Sequence, residues 1–325
     1  MTGNAEADVI VIGAGALALF AARRAQRAGL TALRVGTGTP FERFLLLHEN
    51  ALRALERNYG AAPGRPLRGI RVLNADLRPL RTLDVAAHGL RLHGLRYSAL
   101  LDFLHRHDEV EAFDARVESL APDGAVRLAD GRLLRARRLV VNTAVSLRRG
   151  RPWLHHEHAK PFRLGFVPAV VDAEHVVQIN DAGTYAIIVP MPGGGEGESA
   201  LACSGDLAPV ERLFGRPLAA HLGPPVKLVS WCHGGMRQGQ VVHVGEAQRR
   251  MHPHTGQGLN RALDVIDALF ADGGLRRAWW LDCAYVLGGL VLDAIWGRHP
   301  RLRDLTYALA ATSFGLRLMA GLSRP

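Results

Sequence analysis

The chain has 325 residues and a mass of 35.2 kDa, room for two domains or for one large domain with an insertion. Its 48% apolar and 22% charged residues exclude a mainly disordered chain; three widely spaced cysteines, Cys203, Cys232 and Cys283, argue against a disulfide scaffold or a CxxC-type zinc site and fit a reducing compartment. The formal charge is +10, yet only Lys160 and Lys227 are lysines and aromatic residues make up 6%, which argues against a base-stacking nucleic-acid binder and leaves a field that attracts anionic cofactors or lipid headgroups.

The first unit reads strand, turn, helix, strand. Asp8–Ile12 is a continuous apolar run, as a buried parallel strand should be, Gly13-Ala14-Gly15 is the turn, and Ala16–Arg27 has helical composition with Gly29 at its end. Leu30–Val35 is expected as the second strand and Phe41–Tyr59 as a second helix carrying Leu45, Leu46, Leu52 and Leu55 on one face. Ala61–Pro66 reads as a linker, Ile70–Leu73 and Leu80–Val85 as short strands, and Arg96–His105 as a helix. Val126–Leu128 and Leu133–Leu134 flank Asp130-Gly131, a hairpin signal, and Leu139–Val141 is a further buried strand. Residues 151–238, with short alternating segments such as Tyr185–Val189 and the turn Gly193-Gly194-Gly195, read as a mostly antiparallel sheet. Val241–Val244 returns to buried-strand character, a helix follows from about Gly258, and residues 276–325 read as helical. No secretory leader is expected, and the apolar stretch Cys283–Leu292, bounded by Asp282 and Asp293, falls short of the roughly 20 residues a membrane span needs.

Two segments carry the chemistry. In Gly13-x-Gly15-x-x-Ala18 the first glycine permits a sharp turn, the second lets a pyrophosphate approach the backbone, and the small Ala18 lets helix and strand pack closely. The acid that usually closes the second strand of such a unit is missing from Leu33-Arg34-Val35-Gly36-Thr37. The second segment runs from Val241 to Asn260 and includes Gly245-Glu246, Met251-His252-Pro253 and Gly256-Gln257-Gly258-Leu259-Asn260. It resembles the second flavin motif of the class A FAD-dependent monooxygenases, the family of para-hydroxybenzoate hydroxylase, the ubiquinone-biosynthesis hydroxylases and squalene epoxidase.

The resemblance implies an α/β fold: a Rossmann-like FAD-binding domain with an inserted, mostly antiparallel β-sheet substrate domain and a C-terminal helical segment. The expected division is 1–65, 93–150 and 239–275 for the FAD-binding domain, 66–92 and 151–238 for the β-rich substrate domain, and 276–325 for the C-terminal helices. As the family implies, Gly13, Ala14, Gly15 and Ala18 would cradle the FAD phosphates and Glu246, after Gly245, would accept hydrogen bonds from ribityl hydroxyls. Pro253, Gly256, Gln257, Gly258, Leu259 and Asn260 would pass the ring, with the helix start near Leu259 aimed at its electron-rich edge. Arg96, in the stretch Arg96-Tyr-Ser-Ala-Leu-Leu-Asp-Phe-Leu that resembles the family's Arg-x-x-Leu-x-x-x-Leu helix, and Arg43 are further FAD candidates. Pro253, His252 and His254 are the candidates at the reacting centre.

The implied activity is hydroxylation or epoxidation of an aromatic, isoprenoid or polyketide-like small molecule through a flavin C4a-hydroperoxide, with NAD(P)H as reductant and no metal. Asn142-Thr143 stands where the family usually has Asp-Gly, and Arg249 where its motif usually has His. These departures motivate the alternative of an FAD-binding homologue that has lost hydroxylation and performs a cyclisation, dehydrogenation or isomerisation, or assists a pathway partner protein. His155-His156-Glu157-His158 reads as a solvated loop rather than a metal site. The expected location is cytoplasmic, with association of residues 279–322 at a membrane surface as the alternative.

Overall fold

The computed structural model describes residues 6–38, 42–148, 150–158, 160–181, 183–192, 197–251, 257–271, 275–296, 299–312 and 315–316. In chain order its first half comprises β1 (Glu6–Ile12), α1 (Ala16–Arg27), β2 (Ala32–Val35), β3 (Phe44–His48), α2 (Glu49–Tyr59), β4 (Arg65–Leu67), β5 (Gly69–Leu73), β6 (Pro79–Asp84), β7 (Leu92–Arg96), α3 (Tyr97–His105), β8 (Glu111–Phe113), β9 (Val117–Leu120), β10 (Ala125–Leu128) and β11 (Leu133–Asn142). The second half comprises β12 (Leu154–Glu157), β13 (Phe162–Val167), β14 (His175–Asp181), β15 (Thr184–Met191), β16 (Glu198–Gly205), α4 (Ala208–Phe214), β17 (Val229–Cys232), β18 (Arg237–Gln238), β19 (Val241–His243), β20 (Arg249–Arg250), α5 (Gly258–Leu269), α6 (Leu275–Trp296) and α7 (Pro300–Ala310).

The central sheet runs β18-β19-β11-β1-β2-β8, and β1 is parallel to both β2 and β11. Alternation along β1 sends Val9 and Val11 into the core shared with α1, α2, α3 and α5, and Ile10 and Ile12 into the core under the β9–β11 meander. The strand is therefore apolar on both faces, as the sequence predicts. Helix α1 buries Ala16, Ala18, Ala21, Ala22 and Ala25, whose small side chains let it lie close to the sheet. Asp267 of α5 gathers Arg24 of α1 at 2.9 Å and Arg57 of α2 at 2.5 Å, tying the three helices at their outer ends.

A second sheet, β13-β16-β15-β14-β5-β6, is antiparallel except where β14 runs parallel to β5. Two three-stranded sheets, β3-β7-β4 and β12-β17-β20, accompany it. Helix α6 packs Cys283 and Val286 against Cys232 and Met251. Helix α7 docks by polar bonds: Gln178 and Asn180 donate to the Tyr307 hydroxyl, and Arg303 bonds the Asp181 carboxylate. Among the described residues no helix is long and apolar enough to cross a membrane.

The expected helix over Phe41–Tyr59 is a strand followed by a helix. Phe44–His48 pairs antiparallel with Leu92–Arg96, so Leu45 and Leu46 lie on β3, and helix begins only at Glu49. An unbroken run of large apolar residues suits either state, and the partner strand some fifty residues away decides it. The linker Ala61–Pro66 likewise ends in β4, which pairs with the same strand.

Two histidines are held neutral by burial. His48 is lowered to about 4 and His243 to about 3, both chiefly by desolvation. Asn142 Nδ2 donates to His243 Nδ1 at 2.9 Å, and the other ring nitrogen lies 3.0 Å from Gln238 Oε1, which fixes the neutral tautomer with its proton on Nε2. Unfolded, each histidine takes a proton near its ordinary value of 6.5; folded, each refuses it until far lower pH. Their contribution to stability is therefore complete above that value and drains away as the pH falls toward 3, at roughly 1.4 kcal/mol per pH unit for each group. Melting temperature measured from pH 7 to 4.5 should fall, with a shallower slope in His243→Gln; an unchanged slope in that variant contradicts the buried neutral ring.

Candidate active site

The glycine turn lies where the ends of three parallel strands meet. Gly13 has φ +136°, and a Cβ there would sit 2.1 Å from Thr143 Oγ1. A Cβ on Gly36, at the end of β2, would sit 2.5 Å from the Gly13 carbonyl carbon, so the two backbones touch. Thr143 closes the third side by donating its hydroxyl to Ile12 O at 2.7 Å. The first turn of α1 then opens onto a cavity of about 600 Å³, within the usual range for a cofactor or substrate site.

That cavity has two walls. Gly13, Ala14, Gly15, Arg43, Tyr97 and Thr143 line one side together with Gly245, Glu246, Gly258, Leu259 and Asn260. The opposite side is largely apolar: Phe162, Leu164, Tyr185, Ile187 and Ala202 from the antiparallel sheet, with Val226 and Leu228 beside them. A second cavity of about 540 Å³ lies beyond the end of β2 and shares Gly13, Thr37 and Ala144 with the first. The glycine turn is thus the waist of one long crevice, with Glu118 and Arg116 among the residues lining its far end.

The site residues expected from the sequence divide as follows. Gly13, Ala14, Gly15, Arg43, Gly245, Glu246, Gly258, Leu259 and Asn260 share one cavity wall although more than 200 positions separate the two groups. Ala18 lies behind the turn, fully buried, 3.3 Å from where a Gly13 Cβ would sit. Gln257 is the buried residue that caps α5. Gly258 opens α5 at the cavity lining, and a Cβ there would meet no atom within 4 Å among the described residues outside its own helix. Asn260 holds the motif to the neighbouring strand: its Oδ1 accepts from His48 N and its Nδ2 donates to Leu46 O, both at 2.8 Å. The Glu246 carboxylate accepts from Arg250 at 2.8 Å, and that guanidinium lies over the Trp231 ring. Arg96 points elsewhere; it is ion-paired with Glu198 and stacked on Phe166 of the antiparallel sheet, and it is absent from the described cavity lining. His252, Pro253, His254 and Gly256, and the turn at Gly193–Gly195, lie outside the described residues.

The structure adds residues the sequence does not single out. Tyr97, next in chain to Arg96, places its hydroxyl at the start of α1, where it accepts from Ala16 N at 3.0 Å and stands 2.8 Å from a Gly15 Cβ. Arg43 lies over the Tyr97 ring, 4.6 Å from its centroid, with a buried Nε that has no hydrogen-bond partner among the described residues. At the usual Asp-Gly position, Asn142 turns inward to bind His243 and the backbone of Ala144, while Thr143 packs the glycine turn. Glu118 on β9 lines the far cavity. No local pattern marks Tyr97 or Glu118; only the sheet order brings them to the crevice.

No protein-family model and no curated protein matches the chain by sequence. Solved structures match closely in fold. PqsL of Pseudomonas aeruginosa, a probable FAD-dependent monooxygenase, superposes with a TM-score of 0.73 at 20% identity, over 92% of this chain and 98% of that one. The p-nitrophenol 4-monooxygenase PnpA of Pseudomonas putida DLL-E4 gives 0.78 at 16% identity, over 99% and 100%. Klebsiella pneumoniae HpxO, complexed with FAD and uric acid, gives 0.75 at 17% identity, over 99% and 96%. The fold is therefore the one seen in FAD-dependent monooxygenase structures: α/β, with a Rossmann-like unit and an antiparallel sheet facing it across the crevice.

Gly245 tests the waist of this crevice. It has φ +59°, and a Cβ there would lie 2.3 Å from Leu17 Cδ1 on α1. Gly245→Ala should cost about 1–3 kcal/mol in chemical denaturation from strain and crowding. Adding Leu17→Ala should recover the crowding share alone, so a double variant no more stable than the single one contradicts the contact.

Proposed function

We propose that this chain is an FAD-dependent monooxygenase that hydroxylates or epoxidises an electron-rich small molecule, aromatic or isoprenoid or polyketide-like, with NAD(P)H as reductant. The observation that carries the reading is the long crevice pinched at Gly13, lined by the glycine turn, by Gly245, Glu246 and Gly258–Asn260, and by apolar residues of the antiparallel sheet. A two-ended ligand with anionic groups at its middle suits that shape, and the residues present fit FAD. The start of α1 and the Arg43 guanidinium would hold its phosphates. The far cavity accepts the adenosine end, with Glu118 as acceptor for ribose hydroxyls. Gly258, at the start of α5 in the cavity lining, would lie beside the ring. The domain division expected from the sequence belongs to this reading, as do the roles of Pro253, His252 and His254.

Bound FAD supplies the oxygen-activating chemistry. The chain's own residues bind, orient and exclude water. The start of α5 offers backbone N–H groups and a positive dipole end to the electron-rich edge of the ring, which favours the reduced cofactor. Glu246, oriented by Arg250, accepts from ribityl hydroxyls. Phe162, Leu164, Ile187, Val226 and Leu228 form an apolar wall that keeps water from the reacting centre. The FAD and uric acid bound to HpxO support a flavin with a small heterocycle as the pair of occupants.

Absorbance of the purified protein, with FAD added and then NADPH or NADH under anaerobic conditions, tests the proposal. A retained flavin spectrum that bleaches on reduction is expected. Colourless protein that takes up no FAD refutes it, and bound FAD that neither nucleotide reduces favours the non-oxygenating alternative drawn from Asn142-Thr143. In fluorescence titrations, Glu118→Gln should weaken FAD binding about tenfold, the worth of a hydrogen bond to a charged acceptor; unchanged affinity removes Glu118 from the site.

A further inference from the structure

The three cysteines are too scattered along the sequence for a disulfide scaffold, yet folding brings two of them together. Cys232 on β17 and Cys283 on α6, 51 positions apart, place their Sγ atoms 3.6 Å from each other, and both are buried free thiols, 0% and 3% exposed. Cys203 on β16 is just as buried but lies in the core of the antiparallel sheet among Val177, Ile188 and Leu201, with no second cysteine in that core. The pair sits one layer behind the cavity: Met251 packs against it, and Met251 and Arg249 both line that cavity. In sequence the two cysteines bracket Gly245, Glu246 and the whole of α5.

Two sulfurs in contact form a ready dithiol. They have about 1.5 Å to travel before reaching the roughly 2.05 Å of a disulfide. The charge around them is asymmetric. Burial pushes both thiols up, Cys283 to about 12, while at Cys232 the rise is opposed by the hydrogen bond from Cys283, by Trp153 and by the charge of Arg249. Cys232 Sγ also has His233 O as an acceptor at 3.7 Å; giving its single proton there leaves Cys283 as the donor between the two sulfurs. Arg249 has charge to offer. Its Nε lies 3.0 Å from Asp282 Oδ2 without hydrogen-bond alignment, and its two terminal nitrogens have no hydrogen-bond partner among the described residues. Asp282 is shared with Arg261 at 3.4 Å. Burial lowers the Arg249 pKa, and Asp282, Cys232 and Cys283 all act against that fall. A thiolate at Cys232 would therefore meet a cation in need of an anion, the condition that separates a reactive cysteine from an inert buried one.

We propose that Cys232 and Cys283 are a redox modification site, a dithiol that hydrogen peroxide converts into an intrachain disulfide fastening α6 to β17 behind the cavity. The Cys232 sulfur attacks one peroxide oxygen. An S–O bond forms, the O–O bond breaks, and the departing hydroxide takes the thiol proton as water, leaving sulfur oxidised by two electrons to the sulfenic acid. The Cys283 sulfur then attacks Cys232. The S–S bond forms, the S–O bond breaks, and hydroxide leaves with the Cys283 proton as a second water. In sum, two thiols and one peroxide give one disulfide and two waters. Peroxide suits the site because it is small and uncharged, whereas burial shuts the sulfurs off from bulkier oxidants. The closed loop contains Gly245, Glu246 and α5, so this part of the cavity lining is then tied at both ends. The step needs only the two thiols and peroxide, and so stands apart from the flavin reading.

The folded protein, treated with hydrogen peroxide, then unfolded, alkylated and mapped by peptide mass, tests this. Two thiols should be lost to a 232–283 cross-link while Cys203 remains alkylated, and dithiothreitol should return all three. Cys203→Ser should cross-link at the wild-type rate. Cys283→Ala should stop at a sulfenic acid on Cys232, captured by dimedone; Cys283→Ser serves the same purpose if the alanine variant folds poorly. Arg249→Met should shift the pH profile of cross-linking about one unit alkaline, about tenfold slower at fixed pH, and Arg249→Lys should restore part of the shift. Three intact thiols under an exposure that consumes free cysteine overturn the proposal. So does oxidation of Cys203 as fast as the pair, or a cross-link that appears only in urea and is thus a product of unfolding. A pH profile unmoved in Arg249→Met overturns the part given to the guanidinium. Mapping needs no bound FAD, so colourless protein removes the monooxygenase reading and leaves this test in force.

Discussion

The crossing at Gly13 is the constraint on which the site depends. Three strand ends converge there: β1 turns, the Gly36 backbone presses from β2, and Thr143 closes from β11. Nothing larger than hydrogen fits on Gly13, and its positive φ aims the chain into α1. Because the helix starts at this pinch, its free end opens into the crevice rather than into the sheet. The same crossing divides that crevice into two cavities, so one backbone feature sets both the shape of the site and its polarity.

The opposite wall is held by a different principle. Gly245 and Asn260 are separated from the glycine turn by the whole antiparallel sheet in sequence, yet specific contacts hold each in place. Asn260 bonds the backbone of Leu46 and His48, and Gly245 lies against Leu17. These bonds replace chain connectivity with specific pairing, and they are buried, where an unmet polar group would be costly. The neutral Asn142 and His243 pair does the same at the ends of β11 and β19.

Much of this was legible in the sequence, for identifiable reasons. Asp8–Ile12, the glycine turn and Ala16–Arg27 follow from local rules, because an apolar strand, a positive-φ glycine and an alanine-rich helix each carry their own signal. The 241–260 motif is legible because close backbone passages demand small residues at fixed spacing. Phe44–His48 was not legible as a strand, since its conformation is decided by Leu92–Arg96 rather than by its own composition. Arg96 and Tyr97 show the same limit at single-residue scale: the pattern finds the right corner, but the end of β7 turns the arginine toward Glu198 and the tyrosine toward α1. Glu118 and Arg249 became visible only once sheet order and burial were known.

The Tyr97 hydroxyl gives this crevice an unusual resting condition. It accepts the Ala16 N–H, so the first turn of α1 meets a protein oxygen before any anion arrives. An anion that took the Ala16 N–H would exchange one acceptor for another, so its gain would be the difference between the two bonds rather than the full worth of a new one. One N–H of the α1 end is therefore satisfied before any ligand is present.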